Sequence, residues 1–331
     1  MTTYKQMVLA SRPRGEVVPE NFRIETIVIP AIKDGELLIR NHFLSLDPYM
    51  RGRMDDLKSY ATPQPIGEVM IGGTVGEVVE SRNLKFAVGD KVVGNMGWTE
   101  MGVSNGELLK KVDASKIPLS AYLGVVGMPG MTAWYGLTQI IQPKEGETIV
   151  VSAASGAVGS ALGQLARLRG CRAVGIAGGA EKCAYVVNEL GFDACIDYKA
   201  GNLIADLKAA TPNGIDGVFE NVGGEIFDAC LARMNPFGRI ALCGLISGYN
   251  GVPQPLRNVR MVLTMRLTMR GFIVSEHMDL WPHGLQELET LVASGKLKFR
   301  ESLAQGLESA PEAFIGLLKG RNFGKQLVKL I

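Results

Sequence analysis

The hydrophobic pattern changes character once along the chain. Ahead of about Ser115, apolar residues come in short, irregular runs. Arg23 to Ile29 alternates, Glu36 to Leu46 is mostly apolar, and Val69 to Glu80 is a glycine-punctuated run of valines. Runs of this kind, bounded by turn residues, predict short strands. Gly89-Asp90 marks a turn into a further strand at Lys91–Gly94. Strands this short and this rich in glycine predict a compact, barrel-like domain.

From Thr148 the pattern becomes strand, helix, strand. Thr148 to Ser152 predicts a buried strand, and Gly156 to Arg169 places Leu162, Leu165 and Leu168 at helical spacing. A strand at Arg172 to Ile176 and a helix from about Ala180 to Leu190 follow. Shorter strands are predicted near Ala194–Ile196, Gly217–Glu220, Arg239–Cys243 and Leu267–Phe272, making six in all. Strands alternating with helices in this way predict an α/β unit with an open, doubly wound parallel sheet. The tail, a helix near Pro311–Lys319 and a strand near Lys325–Ile331, breaks that rhythm and is assigned to the first domain. The expected organisation is a β-rich domain over residues 1–125, an inserted α/β domain over 126–298, and a return segment over 299–331.

Composition narrows the function classes. The 331 residues are 47% hydrophobic and 21% charged, which suits two ordinary globular domains. Glycine, at 41 residues, is in excess, which points to turns and close backbone approaches. Lysine and arginine exceed aspartate and glutamate by only two, so neither nucleic acid nor an acidic membrane is expected as a partner. The uncharged stretch from Ile117 to Pro143 is long enough to span a bilayer. Glycines and Pro129 interrupt it, however, and a loop entering a buried helix fits better. The apolar run Met7–Ala10 is too short for the core of a signal peptide. Cys171, Cys183, Cys195, Cys230 and Cys243 form no CxxC, so buried free thiols in a reducing compartment, the cytoplasm, are expected.

Candidate chemistry sits at the strand ends of the second domain. Val151 to Ser160 reads VSAASGAVGS, directly after a strand and opening a helix. Aligned on GxGxxG, Ala154, Gly156 and Gly159 take the three glycine positions. Gly156 lets the backbone approach a pyrophosphate set against helix amides, and Gly159 lets the helix close on the sheet. An NAD site wants an acidic residue at the end of the next strand. Gly175-Ile176-Ala177-Gly178-Gly179 has none. Lys182 and Tyr198, taken to end the third strand, offer instead a cation and a phenol suited to the 2′-phosphate of NADP.

Metal chemistry has little support in the residues. The histidines are His42, His277 and His283, none in HxxxH, and no cysteine precedes Cys171, so no catalytic zinc site is expected. His277 and His283, flanking a helix start near Trp281-Pro282, are expected to be exposed.

Taken together, the β-rich front, the inserted nucleotide fold and VSAASGAVGS resemble the medium-chain dehydrogenase/reductase superfamily. SLDPYMRGRM (45–54), GMPGMTAWYG (127–136), GGAEKC (178–183), FENVGG (219–224), CGLISGYN (243–250) and RNFGKQLV (321–328) narrow the resemblance. They resemble the zinc-independent prostaglandin reductase, curcumin reductase and alkenal double-bond reductase group. The resemblance implies a Rossmann domain inserted into a GroES-like catalytic domain, a homodimer, and NADPH-dependent reduction of α,β-unsaturated ketones or aldehydes. Gly156, Ala157, Val158 and Gly159 would hold the pyrophosphate, Lys182 and Tyr198 the 2′-phosphate, and Asn221 would lie along the cofactor. Cys243, Gly244, Leu245, Ile246, Ser247, Phe272, Ile273, Val274 and Asn322 would surround the nicotinamide half, with Met128 and Thr132 packing near it. Tyr49 and Tyr249 would line a substrate cleft between the domains. Tyr249, with a cofactor ribose hydroxyl, would stabilise the enolate formed when hydride reaches the β-carbon. A quinone oxidoreductase or a non-enzymatic NADPH sensor would use the same fold.

Overall fold

The computed structural model describes residues 2–251 and 254–331. The chain divides into two units: Met1–Leu123 with Glu301–Asn322 and Gln326–Ile331, and Gly124–Arg300 with Phe323–Lys325.

In the first unit, β1 (Thr3–Leu9) pairs antiparallel with β2 (Phe22–Val28). A seven-stranded sheet contains β3 (Leu37–Ser45), β4 (Thr74–Ser81), β5 (Lys91–Gly94), β6 (Met101–Ser104), β7 (Lys110–Lys111), β14 (Glu301–Gln305) and β15 (Lys325–Lys329). Its order is β14-β15-β3-β4-β5-β7, with β6 also on β3. The late strand β15 thus lies beside β3, with Leu327 opposite Ser45. Helices α1 (Tyr49–Arg53) and α9 (Ala310–Leu318) complete the unit. Trp98 stacks on Phe22 at 5.2 Å and meets Phe314 of α9 edge-on at 5.7 Å. Leu44, Leu46, Met50, Met54 and Met70 close around them. The valine-rich run from Val69 is strand only from Thr74. Ahead of it the chain is drawn to β1, where Met70 N–H donates to Met7 O. It then passes so close to Leu44 and Trp98 that a Cβ on Gly72 would stand 2.8 Å from Leu44 Cδ1.

The second unit holds a six-stranded parallel sheet. Its strands are β8 (Thr148–Ser152), β9 (Arg172–Ala177), β10 (Ala194–Asp197), β11 (Ile215–Glu220), β12 (Met234–Leu242) and β13 (Thr268–Gly271), in the order β10-β9-β8-β11-β12-β13. The order reverses between β8 and β11, and ligands of open α/β sheets bind at the strand carboxyl ends beside such a reversal. The intervening helices are α3 (Ala157–Leu168), α4 (Ala180–Asn188), α5 (Leu203–Ala210), α6 (Gly224–Leu231), α7 (Arg260–Thr264) and α8 (Trp281–Ala293). Val150, Val174, Ile176, Val218 and Ile240 from the strands pack with Phe227, Cys230 and Leu231 of α6. β8 is buried along its whole length, which is why it reads as a continuous apolar run.

The uncharged stretch enters this unit as α2 (Met128–Tyr135), continued by a wide turn over Gly136–Ile141. Gly130 lies so close to Val125 O, and Gly136 to the Phe219 ring, that a side chain at either would collide. Its lack of charge reflects burial within a packed unit. No described helix is long and apolar enough to cross a membrane.

Candidate cofactor and active site

The phosphate turn is built from the end of β8 upward. Ala153 turns into the left-handed region at φ +51°, and Gly156 N–H donates to its carbonyl at 2.9 Å. Gly156 caps α3, whose first residues are Ala157, Val158 and Gly159. A Cβ on Gly159 would stand 2.4 Å from Ala153 O, and one on Gly175 of β9 would stand 2.7 Å from the Ala154 side chain. Glycine at 159 is therefore imposed by a backbone carbonyl, and the small Ala154 by the neighbouring strand. The result is a tight turn delivering α3's free amides to the switch point, an arrangement suited to a pyrophosphate.

A second cluster stands at the end of β9. No carboxylate follows Ala177. A Cβ on Gly178 would meet Tyr198 Cε1 at 2.9 Å, Lys199 Cε at 3.0 Å and the Tyr198 hydroxyl at 3.1 Å. β10 ends at Asp197, one residue before the expected Tyr198. Asp197 accepts from Gly179 N–H at 2.7 Å and from Lys199 N–H at 3.0 Å, and so starts a short helical turn that swings Tyr198 and Lys199 over the glycines. Lys182, on the first turn of α4, is half-buried. Burial holds its ammonium below the usual lysine range, and the charge of Lys199 adds to the effect. Its Nζ lies 6.0 Å from the Phe323 ring, against which the Arg300 guanidinium packs at 3.8 Å. The fit to a 2′-phosphate therefore rests on Lys182, Tyr198 and Lys199. Lys199 is a residue that sequence reasoning missed, although it stands beside Tyr198 in the chain.

The third cluster lies across the switch point. Asn221, after β11, donates its Nδ2 to Ser152 O at 2.8 Å. The loop after β12 is laced to the same turn. Cys243 and Gly244 N–H donate to Glu220 O at 2.9 and 3.1 Å, Ile246 N–H to Asn221 O at 3.2 Å, and Ser247 N–H to Val222 O at 3.0 Å. These bonds fold the loop back so that the Tyr249 hydroxyl accepts from Leu245 N–H at 3.4 Å. Cys243, Gly244, Leu245, Ile246, Ser247 and Tyr249 thus form one group with Asn221.

Beyond β13, Phe272 is gripped between Tyr135, at 5.3 Å, and Phe219, at 6.1 Å. Ile273 follows half-buried and Val274 buried. His277, expected to be exposed, is half-buried. Its ring stacks on Tyr135 at 4.3 Å, and its Nε2 lies 2.9 Å from the Tyr135 hydroxyl. His283 is exposed. Thr132 is buried, and its hydroxyl donates to Met128 O at 2.7 Å. Tyr49 opens α1 in the first unit, where burial, reinforced by the Asp47 charge, pushes its phenol well above the usual range. Asn322 also belongs to the first unit.

Residues 5–112 match the family described as the N-terminal domain of oxidoreductase, and residues 157–290 match zinc-binding dehydrogenase. NADPH-dependent curcumin reductase of Escherichia coli K12 is 47% identical, covering 98% of this chain and 96% of that protein. Prostaglandin reductase 1 of Rattus norvegicus is 42% identical, over 99% of this chain and all of that one. The crystal structure of CurA in complex with NADPH from Vibrio vulnificus superposes with a TM-score of 0.94, at 48% identity and 99% coverage of both chains.

The chain belongs to the medium-chain dehydrogenase/reductase superfamily. Within it, it falls in the curcumin and prostaglandin reductase group. The three clusters described above all lie at the carboxyl edge of the parallel sheet, where open α/β sheets bind their ligands. One matching family is described by zinc. Among the described residues, though, no three or more His, Cys, Asp or Glu side chains come together to hold a metal. The donor set of the described residues does not fit a resident metal. Of the five thiols, Cys171 and Cys230 are buried and the other three half-buried.

Proposed function

We propose that this reductase uses NADPH to reduce the carbon–carbon double bond of α,β-unsaturated ketones and aldehydes. The observation that carries the reading is Tyr249. Its hydroxyl is held by the loop that is laced to the Asn221 turn at the switch point. When bound, NADPH supplies hydride. The chain's part is to seat the cofactor and meet the charge that develops on the substrate. Gly156 to Gly159 present helix amides to the pyrophosphate, and Lys182 and Tyr198 take the 2′-phosphate. Asn221, the Cys243–Ser247 backbone, Phe272 to Val274, Met128 and Thr132 shape the nicotinamide half. Tyr249 donates to the enolate oxygen as negative charge grows there. A hydroxyl already oriented by a backbone amide needs little reorganisation to do this.

Absorbance at 340 nm over a panel of enones and alkenals of graded size tests the proposal. NADPH oxidation with product reduced at the double bond is expected. Turnover of quinones but of no enone would replace this reading with the quinone oxidoreductase one. Cofactor binding without any turnover would leave a sensor. We also propose a homodimer. β13 forms one outer edge of the parallel sheet. Leu263 stands exposed shortly before it, and Phe237, whose N–H donates to Met265 O, is also exposed, the two at 80% and 65% of their surface. An open edge with apolar neighbours is a natural pairing surface.

A further inference from the structure

Glu220 ends β11 with none of its surface exposed. Its Oε1 accepts from Ser152 Oγ at 2.9 Å, Val222 N–H at 2.6 Å and Gly223 N–H at 2.7 Å. Ser152 Oγ in turn accepts from Asn221 N–H at 2.8 Å. The main-chain carbonyl of Glu220 receives Cys243 and Gly244. One residue therefore ties together the ends of β8, β11 and β12, and with them every segment of the third cluster that precedes β13. Its Oε2 is different. It is buried and, among the described residues, has no hydrogen-bond partner. The titratable groups that sense its charge are the Cys230 thiol of α6 and the Cys243 thiol after β12, both pushed up chiefly by burial. Ser152, on the β8 side, is neutral.

We propose that Glu220 is a positioning residue for the nicotinamide half of the cofactor, and that it acts as the neutral acid. Its proton keeps the Asn221–Gly223 turn and the Cys243–Tyr249 loop in their cofactor-ready arrangement, and loss of that proton releases them. The inference rests on the NADPH reading above. A buried carboxylate with one oxygen unpartnered and no cation beside it is far costlier than the acid. The amide and hydroxyl donors to Oε1 favour ionisation, yet burial outweighs them and pushes the carboxyl up to about 7. The sign follows. Below that pH the proton is held and the turn is intact. Above it the charge must reach water, which it can do only by loosening the hydrogen bonds that define the turn. Cofactor affinity therefore falls as pH rises.

The test compares the dissociation constants of NADPH and adenosine 2′-monophosphate between pH 6 and pH 9 on the whole chain. The monophosphate lacks the nicotinamide half and has the 2′-phosphate as its single titrating phosphate, so the titration of that phosphate cancels in the ratio. In the unaltered protein the ratio of the NADPH constant to the monophosphate constant is expected to rise about tenfold across this range. Glu220→Gln keeps one acceptor oxygen and cannot ionise, so its ratio should stay within about twofold. Glu220→Asp falls short of its donors and should weaken NADPH at every pH while sparing the monophosphate. A flat ratio in the unaltered protein overturns the proposal, whether or not the variants fold. So does a Glu220→Gln protein that keeps the rise, or one that loses both ligands equally. Failure of the unaltered protein to bind either ligand at any pH would instead sink the cofactor reading on which the proposal stands.

Discussion

At the residue scale, two side chains have separable effects. Lys182 and Lys199 crowd one another beside Tyr198, a juxtaposition that a doubly charged phosphate would relieve. A charge-assisted hydrogen bond contributes about 1.5–3 kcal/mol. Lys182→Ala should accordingly weaken NADPH roughly ten- to a hundredfold and leave NADH almost unchanged. Lys199→Ala should act in the same direction with a smaller effect, because Lys199 is the more exposed of the two. Equal weakening of both cofactors in titrations would show these lysines to be structural. Tyr249→Phe keeps the ring and removes the donor. Loss of one donor from an organised oxyanion site costs about 10²–10³ in rate. With a cofactor hydroxyl sharing the charge, roughly ten- to a few hundredfold in kcat is expected, with KM moving much less. An unchanged kcat, measured where a deuteride isotope effect shows hydride transfer to be rate-limiting, would remove Tyr249 from the chemistry.

At the scale of elements, the buried strands were the legible part. β8 and β9 are covered on both faces, so their sequences are apolar runs closed by glycine, and the α3 spacing follows directly. Elements with mixed surroundings were harder to read. β12 begins at Met234, well before the expected Arg239, through Asn235-Pro236-Phe237-Gly238, which resembles a turn. There Phe237 adopts φ +63°, and the register on β11 shifts between Ile215 and Gly217. Likewise, α6 starts on a glycine pair whose positive φ angles carry no helical signal. In the site, Asn221 and the Cys243–Tyr249 loop were reachable only through motif resemblance. What orders them is the buried Glu220 with its ring of amides, and no local pattern reports that. The phosphate turn offers the sharpest test of an element. A methyl group at Gly159 would press on a carbonyl that the β8–α3 turn cannot move, so Gly159→Ala should abolish measurable NADPH binding. It should also lower the melting temperature by several degrees, since overpacking costs about 1–3 kcal/mol. Gly52→Ala on α1, whose Cβ meets nothing within 4 Å and whose backbone is helical, should leave both cofactor binding and melting temperature almost unchanged. Near-normal cofactor affinity in Gly159→Ala would mean that the turn does not seat the pyrophosphate.

At the scale of the whole molecule, the open edge at β13 predicts a particle of twice the chain mass in light scattering at micromolar concentration. Leu263→Asp should shift that particle toward the monomer with its far-ultraviolet circular dichroism unchanged. A monomer at all concentrations in the unaltered protein would exclude the edge as a pairing surface.

The place of β15 carries a different consequence, for how the chain is made. β15 lies between β14 and β3, so one side of the seven-stranded sheet waits for residues translated after Arg300, behind nearly all of the second unit. During synthesis the second unit can assemble while the first still exposes the β3 edge that β15 will cover. An uncovered edge is a template for unwanted pairing. The first unit is therefore expected to complete its sheet last, and chaperone protection to matter most there.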